Sequence, residues 1–293
     1  MKYEKWRELI IDPFSIPFKN FKLTKIINYP PAGNDVIEAI GKFNQKEQTV
    51  FIKIERSKMA DFQSEFTNLN ILQRYNYYNH IPRVLEFGQF EEKEYLILSK
   101  IEGRRLSEIL NSTTNHTIKS QYLLNYGKEL AIIHSIPSDK FKDAKQRIIN
   151  DIPQEVHYKT FDSFIVKYIA FLKETKPIFK FDCFIHGDFH YANILWKDDK
   201  INGVLDFEYS GKGLKEQDIA WALILRPGQK FMDQYDDLKL FLNGYKSIGN
   251  YDRDILKWCL INGYCHFYLM NKDNIAYKQQ LKTLLETIYI SKL

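Results

Sequence analysis

Cysteine is scarce in this chain, which has three cysteines among 293 residues. Cys183, Cys259 and Cys265 are too few and too scattered for a disulfide framework or a cysteine-based zinc site. No stretch approaches the roughly 18 uncharged apolar residues that a membrane-spanning helix needs. The charged N-terminus is not followed by the apolar run of a secretory signal. These absences predict a reduced, cytoplasmic, soluble protein with no membrane partner.

A large excess of one charge is also lacking. The chain has 42 Lys and Arg against 37 Asp and Glu, and the resulting net charge of +5 is spread evenly along the sequence. A nucleic-acid-binding surface normally shows a concentrated basic tract, so we expect no nucleic-acid partner. The composition, 44% hydrophobic and 27% charged, is that of an ordinary globular protein. The oligomeric state cannot be predicted from these features.

The first hundred residues predict a strand-rich unit. The strand candidates Val36–Ile40 and Thr49–Ile54 flank a polar segment, which indicates a hairpin. The segment Asp61–Tyr75 has apolar residues at helical spacing, with Asp61 near its N-cap. Two more strand candidates follow: Arg83–Phe90 and Glu94–Lys100. Five strands and one helix make a small α+β unit.

After Gly103 the pattern becomes helical. Three long segments have helical periodicity: Tyr122–Ile136, Thr160–Lys173 and most of Asp254–Ile290. We therefore predict an N-terminal lobe at residues 1–100. A helical C-terminal lobe follows at residues 101–293. A hinge between two such lobes leaves a cleft for substrates.

One short region differs from the helices around it and carries the chemistry. Within His186–Asn193 an Asp is followed five residues later by an Asn, and Asp206 comes thirteen residues after that. Phosphoryl transfer needs a group that orients the acceptor hydroxyl and oxygen ligands for magnesium. Asp188 suits the first role, and Asn193 and Asp206 suit the second. The apolar runs between Asn193 and Asp206 predict a hairpin that brings these two residues together.

This region resembles the catalytic and metal-binding loops of the aminoglycoside phosphotransferase family and its choline-kinase and homoserine-kinase relatives. These enzymes share the protein-kinase fold, in which His-Arg-Asp and Asp-Phe-Gly occupy the two loops. Gly187 stands in place of that Arg and Glu208 in place of that Gly, as in the small-molecule branch. The later Gln217–Ala220 resembles the Asp-Leu-Ala motif of the family, which implies that Asp218 braces the catalytic loop. The resemblance covers residues 25–225 and implies a two-lobed, protein-kinase-like α+β fold.

The resemblance also implies a nucleotide site in the N-terminal lobe, residues 1–100, and the catalytic loops and acceptor site in the C-terminal lobe, residues 101–293. Lys53 stands on a strand at the position of the lysine that binds the α- and β-phosphates. Glu65 on the following helix is the expected partner of this lysine, with Glu55 as the alternative.

Two further segments complete the implied nucleotide site. Gly33 and Asn34 occupy the position of the loop that covers the phosphates, although this loop is only weakly glycine-rich. Main-chain groups of Ser99 and Ile101 correspond to the hinge that meets the adenine edge.

Several of these residues have a structural alternative. His186 and His190, four residues apart, resemble zinc ligands, but that motif needs a helix and Gly187 argues for a loop. His134 on an apolar helix is expected to be a satisfied core residue. Glu208 is either a neighbour of the metal or a surface residue.

The expected activity is transfer of a phosphate from ATP or GTP, with one or two Mg²⁺, to a hydroxyl of a small molecule. Residues 180–220 carry an acidic excess of three charges, which favours a cationic acceptor. Amine-bearing antibiotics and small amino alcohols both fit this charge, and the family resemblance alone makes an aminoglycoside-type antibiotic the first expectation. A metabolite kinase for choline, ethanolamine, homoserine or a sugar is the alternative. A kinase-fold binding or coat protein without turnover is the third possibility.

Overall fold

The structure, a computed structural model, describes residues 5–57, 60–113, 115–154, 158, 162–271 and 273–291. The chain forms two compact units. The first contains the residues up to Gly103 together with Asn202–Tyr209, and the second contains Arg104–Ile201 and the residues from Ser210 onward. Among the described residues, no helix is long and apolar enough to cross a membrane.

The first unit is built on a five-stranded sheet in the order β1-β2-β3-β5-β4, with every neighbouring pair antiparallel. Its strands are β1 (Phe21–Asn28), β2 (Asp35–Phe43), β3 (Lys46–Ile54), β4 (Val84–Phe90) and β5 (Lys93–Ser99). Val50, Ile52 and Ile54 alternate along β3 and are buried in the core of this unit. Lys53 therefore points to the opposite face of the sheet.

Two-residue turns close the hairpins of this sheet. Asn44 and Gln45 join β2 to β3, and Glu91 and Glu92 join β4 to β5, all with positive φ. Two consecutive residues with positive φ are typical of the turn that matches the twist of paired strands. The predicted hairpin is present, but its strands extend further into the polar segment Gly41–Gln48 than the sequence indicated.

Helix α1 (Phe62–Arg74) is the single long helix in the described part of the first unit. The Asp61 side chain caps it by accepting a hydrogen bond from the Ser64 N–H at 3.0 Å, as predicted from the sequence. Phe62, Leu69 and Leu72 are buried on its apolar face. This helix carries Glu65 into the interior of the unit.

The segment Asn202–Tyr209 belongs to the first unit although it lies far along the sequence. The Val204 N–H donates to the His80 carbonyl at 2.7 Å, and the 3₁₀ turn Phe207–Tyr209 packs against α1. The single boundary predicted after residue 100 assigned this segment to the C-terminal lobe, because one boundary cannot describe a chain that returns to the first unit. The segment brings Asp206 to the unit that contains Lys53.

The second unit is mainly helical. Its helices are α2 (Leu106–Leu110), α3 (His116–His134), α4 (Ser163–Glu174), α5 (Lys215–Leu223), α6 (Tyr235–Lys246), α7 (Arg253–Met270) and α8 (Ile275–Ile290). Helices α3 and α6 cross closely because each has a glycine at the contact. A Cβ on Gly127 would lie 1.9 Å from the Phe241 carbonyl oxygen, and one on Gly244 would lie 1.9 Å from that of Leu124. The predicted helix Asp254–Ile290 is two helices, and residues 160–161 of another predicted helix lie outside the described residues.

Short strands position the loop that contains Asp188. They are β6 (Arg104–Arg105), β7 (Cys183–Ile185), β8 (Ile194–Lys197), β9 (Lys200–Val204) and β10 (Gly211–Gly213). Strand β7 pairs with β10, and β8 pairs with β6. The loop between β7 and β8 contains Asp188. The predicted hairpin is β8–β9, with Asp198 and Asp199 at its turn in positive φ.

Candidate active site

Lys53 is the centre of a buried charge cluster in the first unit. Its ammonium forms an ion pair with the fully buried carboxylate of Glu65 and a second one with Asp206 Oδ1 at 2.9 Å. Glu55, the alternative partner considered from the sequence, instead accepts a hydrogen bond from the Glu94 N–H at 3.1 Å. Three predicted site residues therefore meet at one point of this unit.

Carboxylates outnumber the ammonium in this cluster. Burial by itself lowers the pKa of Lys53, but the negative charges of Asp206, Glu65 and Glu208 outweigh burial and raise its pKa. Lys53 is therefore charged at neutral pH. The surplus of negative charge suits a ligand that brings its own cations.

Two acidic residues reach this cluster from the returning segment. Asp206 has φ of 69°, a left-handed conformation that costs a non-glycine residue about 1–2 kcal/mol and that Asp tolerates better than most. Glu208 is buried, and its Oε1 accepts a hydrogen bond from the Asp61 N–H at 3.1 Å, at the start of α1. The structure thus makes Glu208 an interior residue instead of a surface one.

A cavity of about 300 Å³ opens beside Lys53. Its described lining comes from the loop before β2, from β2 and β3, from the residues between β3 and α1, and from the returning segment: Ala32, Gly33, Asn34, Val36, Lys53, Ser57, Ala60, Asp206, Glu208 and Tyr209. Its volume is at the lower end of those of small-molecule sites. Gly33 and Asn34, predicted to cover phosphates, therefore face the same space as Lys53.

The loop that contains Gly33 and Asn34 is held from outside the cavity. Arg7 donates to the Gly33 and Asn34 carbonyls, and the Asn34 side chain accepts a hydrogen bond from the Arg56 N–H at 3.2 Å. A Cβ on Gly33 would meet nothing within 4 Å. The loop is therefore positioned by arginine contacts and not by a glycine-only conformation.

The predicted hinge lies at the end of β5. The Ser99 N–H donates to the Arg83 carbonyl at 2.9 Å, and the Ser99 hydroxyl accepts from the Arg83 N–H at 2.8 Å. Because the Ser99 N–H is already engaged, the carbonyl is the main-chain group of Ser99 left for the predicted contact with adenine. Ile101 packs its side chain against Gly203. The hinge roles of Ser99 and Ile101 stay predictions.

Asp188 lies in the second unit, where at least four side chains approach its carboxylate. Its Oδ1 accepts a hydrogen bond from Trp221 Nε1 at 2.9 Å and lies 2.9 Å from Arg147 Nη2. Its Oδ2 accepts from Asn193 Nδ2 at 3.2 Å and lies 3.7 Å from His190 Nε2. Asp188 and Asn193, predicted to act together, are thus in direct contact.

Asp218 braces the loop that contains Asp188, as the resemblance implied. Its buried carboxylate accepts hydrogen bonds from the N–H groups of His186 and Gly187 at 2.8 and 3.0 Å. His134 Nε2 lies 3.1 Å away. Burial tends to raise the pKa of Asp218, but the His134 hydrogen bond and charge and these donors hold it below its usual value. Gly187 has φ of 76°, which explains a glycine at this position.

The two histidines considered as zinc ligands support main-chain turns. His186 is buried and its Nδ1 accepts from the Asp188 N–H at 3.2 Å. His190 Nδ1 accepts from the Ala192 N–H at 3.3 Å. Within the described residues, no three or more His, Cys, Asp and Glu side chains are grouped so that they alone would hold a metal ion.

Sequence reasoning missed Arg147 and Trp221. Trp221 lies on α5 three residues after Asp218, and this spacing places both on the same face of the helix. That spacing is a signal from which Trp221 could have been found. Arg147 comes from an irregular segment forty-one residues before Asp188 and carries no comparable signal.

Residues 42–251 match the phosphotransferase enzyme family, which is more than half of the chain. The chain belongs to this family. The resemblance found in the sequence is thereby confirmed. No curated protein matches the sequence.

Solved structures share the fold. Choline kinase LicA from Streptococcus pneumoniae is 14% identical over 89% of this chain and 92% of its own, with a TM-score of 0.57. The structure of LicA in complex with AMP is 14% identical over 92% of this chain and 92% of its own, also with a TM-score of 0.57. A fructosamine-3-kinase candidate from Haemophilus somnus 129PT is 18% identical over 92% of both chains, with a TM-score of 0.52. The predicted protein-kinase-like α+β fold is therefore confirmed.

The donor groups at the predicted metal positions fit Mg²⁺. This ion usually takes one or two carboxylates and completes its shell with waters and substrate phosphates. The Asp206 carboxylate is 39% exposed. The Asn193 amide nitrogen donates hydrogen bonds to Asp188. The amide oxygen of Asn193, which is the atom that would ligate a metal, therefore points away from Asp188. Asn193 and Asp206 belong to different units, so their use of one magnesium site remains a prediction.

Proposed function

We propose that this protein is a small-molecule kinase that transfers the γ-phosphate of ATP to a hydroxyl group. The observation that carries the proposal is the Lys53 cluster. A strand lysine paired with a helix glutamate and with the Asp of the second motif lies beside a cavity lined by the loop before β2. This combination serves triphosphate binding in protein-kinase-like enzymes. The AMP complex of LicA supports an adenine nucleotide.

In the proposed reaction, the acceptor oxygen forms a bond with the γ-phosphorus while the bond to the β–γ bridging oxygen breaks. The hydroxyl proton passes to the Asp188 carboxylate, and ADP leaves. Asp188 orients the hydroxyl, and Asn193 fixes the Asp188 carboxylate. Lys53 supplies positive charge to the phosphates. Positioning and electrostatics account for most of the rate in such a reaction.

Asn193 and Asp206 are the residues that would hold Mg²⁺. When bound, the ion would neutralise phosphate charge. The carboxylates around Lys53 are themselves negative and cannot do so. The chain itself contributes oxygen ligands and an ammonium whose position is fixed by Glu65.

The acceptor has two candidate classes. Family resemblance by itself favours an aminoglycoside-type antibiotic. The arginine beside Asp188 favours a metabolite, because a cation at the catalytic carboxylate disfavours a polycationic acceptor. A binding protein without turnover is disfavoured, since every position that the chemistry needs is filled.

Incubation with γ-labelled ATP, Mg²⁺ and a panel of hydroxyl compounds tests the proposal. The panel contains aminoglycosides, choline, ethanolamine, homoserine, sugars, hydroxy acids and sugar phosphates. Label should appear in at least one acceptor and should vanish with Asp188→Asn. Failure of ATP to bind, together with no transfer to any member of the panel, would contradict the proposal. Expression in a susceptible bacterium with inhibitory concentrations for aminoglycosides separates the antibiotic class from the metabolites.

A further inference from the structure

Two arginines flank Trp221 beside the catalytic carboxylate. The Arg147 guanidinium carbon lies 4.5 Å from the centre of the Trp221 ring, and that of Arg226 lies 4.8 Å from it. The same indole donates its N–H to Asp188. Two positive charges and one negative charge therefore share the surroundings of this ring.

The charge of Arg226 is not matched by a carboxylate of its own. Its guanidinium donates to the carbonyls of Ile224 and Trp221 at 2.6 and 2.9 Å. In the described part of the chain it forms no ion pair within 4 Å. Burial lowers the pKa of Arg226, while the charge of Asp188 acts in the opposite direction. Asp188 is thus shared between two cations, and a partly buried positive charge remains unbalanced.

Two small neighbouring cavities lie next to Arg147. Its Nε donates to the Gly187 carbonyl at 3.2 Å, and it lines a cavity of about 20 Å³ with Lys145 and Gln217. Lys145 and Gln217 also line a neighbouring cavity of about 190 Å³, to which Lys176 contributes. Gln217 Nε2 is buried and has no hydrogen-bond partner among the described residues. The linings of the two cavities also include Asp151, Asp218 and several apolar side chains, and the cations on this face come from Lys145 and Lys176.

We propose that the acceptor carries an oxyanion, either a carboxylate or a phosphate, which Arg147 binds in exchange for Asp188. The inference rests on the proposed kinase function and names the class of acceptor. Arginine presents a fork of donors that matches carboxylate and phosphate oxygens. The oxyanion supplies the negative charge that the two arginines lack. The exchange also removes the Arg147 contact from Asp188 Oδ1, which keeps its hydrogen bond from Trp221 Nε1. An acceptor that engages Arg147 therefore meets a more accessible carboxylate.

The first test compares acceptors that differ in charge but share a small hydroxyl-bearing frame. Glycerate and glycerol phosphate are the anionic probes, glycerol and glyceramide are neutral, and ethanolamine and choline are cationic. We expect kcat/KM for an anionic probe to exceed that for its neutral counterpart by about ten- to a hundredfold, the range of one charge-assisted contact. Which anion is preferred separates the carboxylate from the phosphate. Equal or better use of neutral or cationic probes overturns the inference.

Arg147→Met removes the charge but keeps the apolar stem, and Arg253→Met is the matched control on an exposed part of α7. The anionic preference should disappear in Arg147→Met, chiefly through KM, and should persist in the control. Arg147→Lys retains the charge and should recover part of the preference. A purely structural role would lower kcat equally for all probes. That result, or an unchanged preference in Arg147→Met, also overturns the inference.

A binding measurement keeps the inference separate from the kinase proposal. Arginine Nε resonances of the full-length protein are followed with a non-hydrolysable ATP analogue and each probe. The Arg147 signal, assigned with Arg147→Lys, should move with glycerate or glycerol phosphate and not with ethanolamine. If no probe is phosphorylated, the panel counts against the kinase proposal while this shift still supports the inference. A signal that moves only with neutral or cationic probes, or with none, contradicts it.

Discussion

The two compact units surround their central groups with opposite surplus charges. In the first, the Lys53 ammonium lies among the carboxylates of Glu65, Asp206 and Glu208. In the second, the Asp188 carboxylate lies beside the guanidinium groups of Arg147 and Arg226. A surplus of carboxylates suits phosphates that arrive with magnesium. A surplus of arginine suits an acceptor that brings an oxyanion.

This difference could not be seen in charge along the sequence. The acidic excess in residues 180–220 suggested a cationic acceptor, yet its members are distributed over separate places. Asp206 and Glu208 join the first unit, and Asp218 is engaged by His134 and two main-chain donors. Asp198 and Asp199 lie at a hairpin turn. The cationic acceptor therefore stays a prediction without its original support.

The largest effect is expected from Asp188→Asn. Removing the negative charge leaves the acceptor hydroxyl without a proton acceptor, and groups of this kind contribute about 10²–10⁴-fold to rate. Single-turnover transfer from labelled ATP measures the loss. The exposed Asp198→Asn at the hairpin turn is the matched control and should keep its activity. More than about a tenth of the wild-type kcat in Asp188→Asn would refute the role of Asp188.

Lys53→Met should destabilise the first unit. It leaves the buried Glu65 carboxylate without its cation, and breaking a buried pair in this way costs about 3–5 kcal/mol. Urea denaturation measures the change in the free energy of unfolding. The double variant Lys53→Met/Glu65→Gln should regain part of it, and the exposed Lys22→Met should change little. A single variant as stable as the wild type would show that the pair is not buried.

Asp218→Asn should lower stability in a manner that depends on pH. The pKa of Asp218 is lowered in the folded protein, so ionised Asp218 stabilises the fold fully above the unfolded pKa of about 3.9. This stabilisation is lost as the pH falls through the pKa of Asp218 in the folded protein. We expect a loss of about 1.5–3 kcal/mol at pH 7 that shrinks below about pH 4. The exposed Asp182→Asn should show no such profile. A difference that stays constant down to pH 2.5 argues against the assignment.

The smallest of these effects is expected from Gly187→Ala. A side chain at φ of 76° costs about 1–2 kcal/mol and disturbs the N–H that Asp218 accepts. Thermal unfolding measures the loss of stability. Gly33→Ala, at a position where a Cβ meets nothing within 4 Å, is the stability control. Equal melting temperatures for both variants would mean that the loop tolerates other conformations.

The sequence predicted those features that depend on local pattern or on order along the chain. Asp61 caps α1 because its side chain meets a main-chain donor three residues later, and Asp188 contacts Asn193 within one loop. These contacts lie within the reach of short-range patterns. Lys53 and Asp206 are far apart in the sequence, and only the resemblance connected them.

Contacts made by irregular segments could not be predicted. Arg147 reaches Asp188 from a segment without periodicity, and no local feature distinguishes it from other arginines. Asn202–Tyr209 joins the first unit through a main-chain hydrogen bond to His80 and through packing against α1. Such contacts depend on tertiary folding. These contacts determine which charged groups surround Lys53 and Asp188, and the proposed substrate classes follow from those charges.

Calorimetric titration of Mg·ATP onto Asp206→Ala and Asp188→Asn tests most directly whether the first unit binds the nucleotide and the second unit binds the acceptor. We expect Asp188→Asn to bind with the wild-type Kd, since its carboxylate serves the acceptor. Asp206→Ala should bind at least about tenfold more weakly, because it loses a charged contact next to Lys53. The reverse order, with Asp188→Asn the weaker binder, would contradict the assignment of the nucleotide to the first unit and the acceptor to the second.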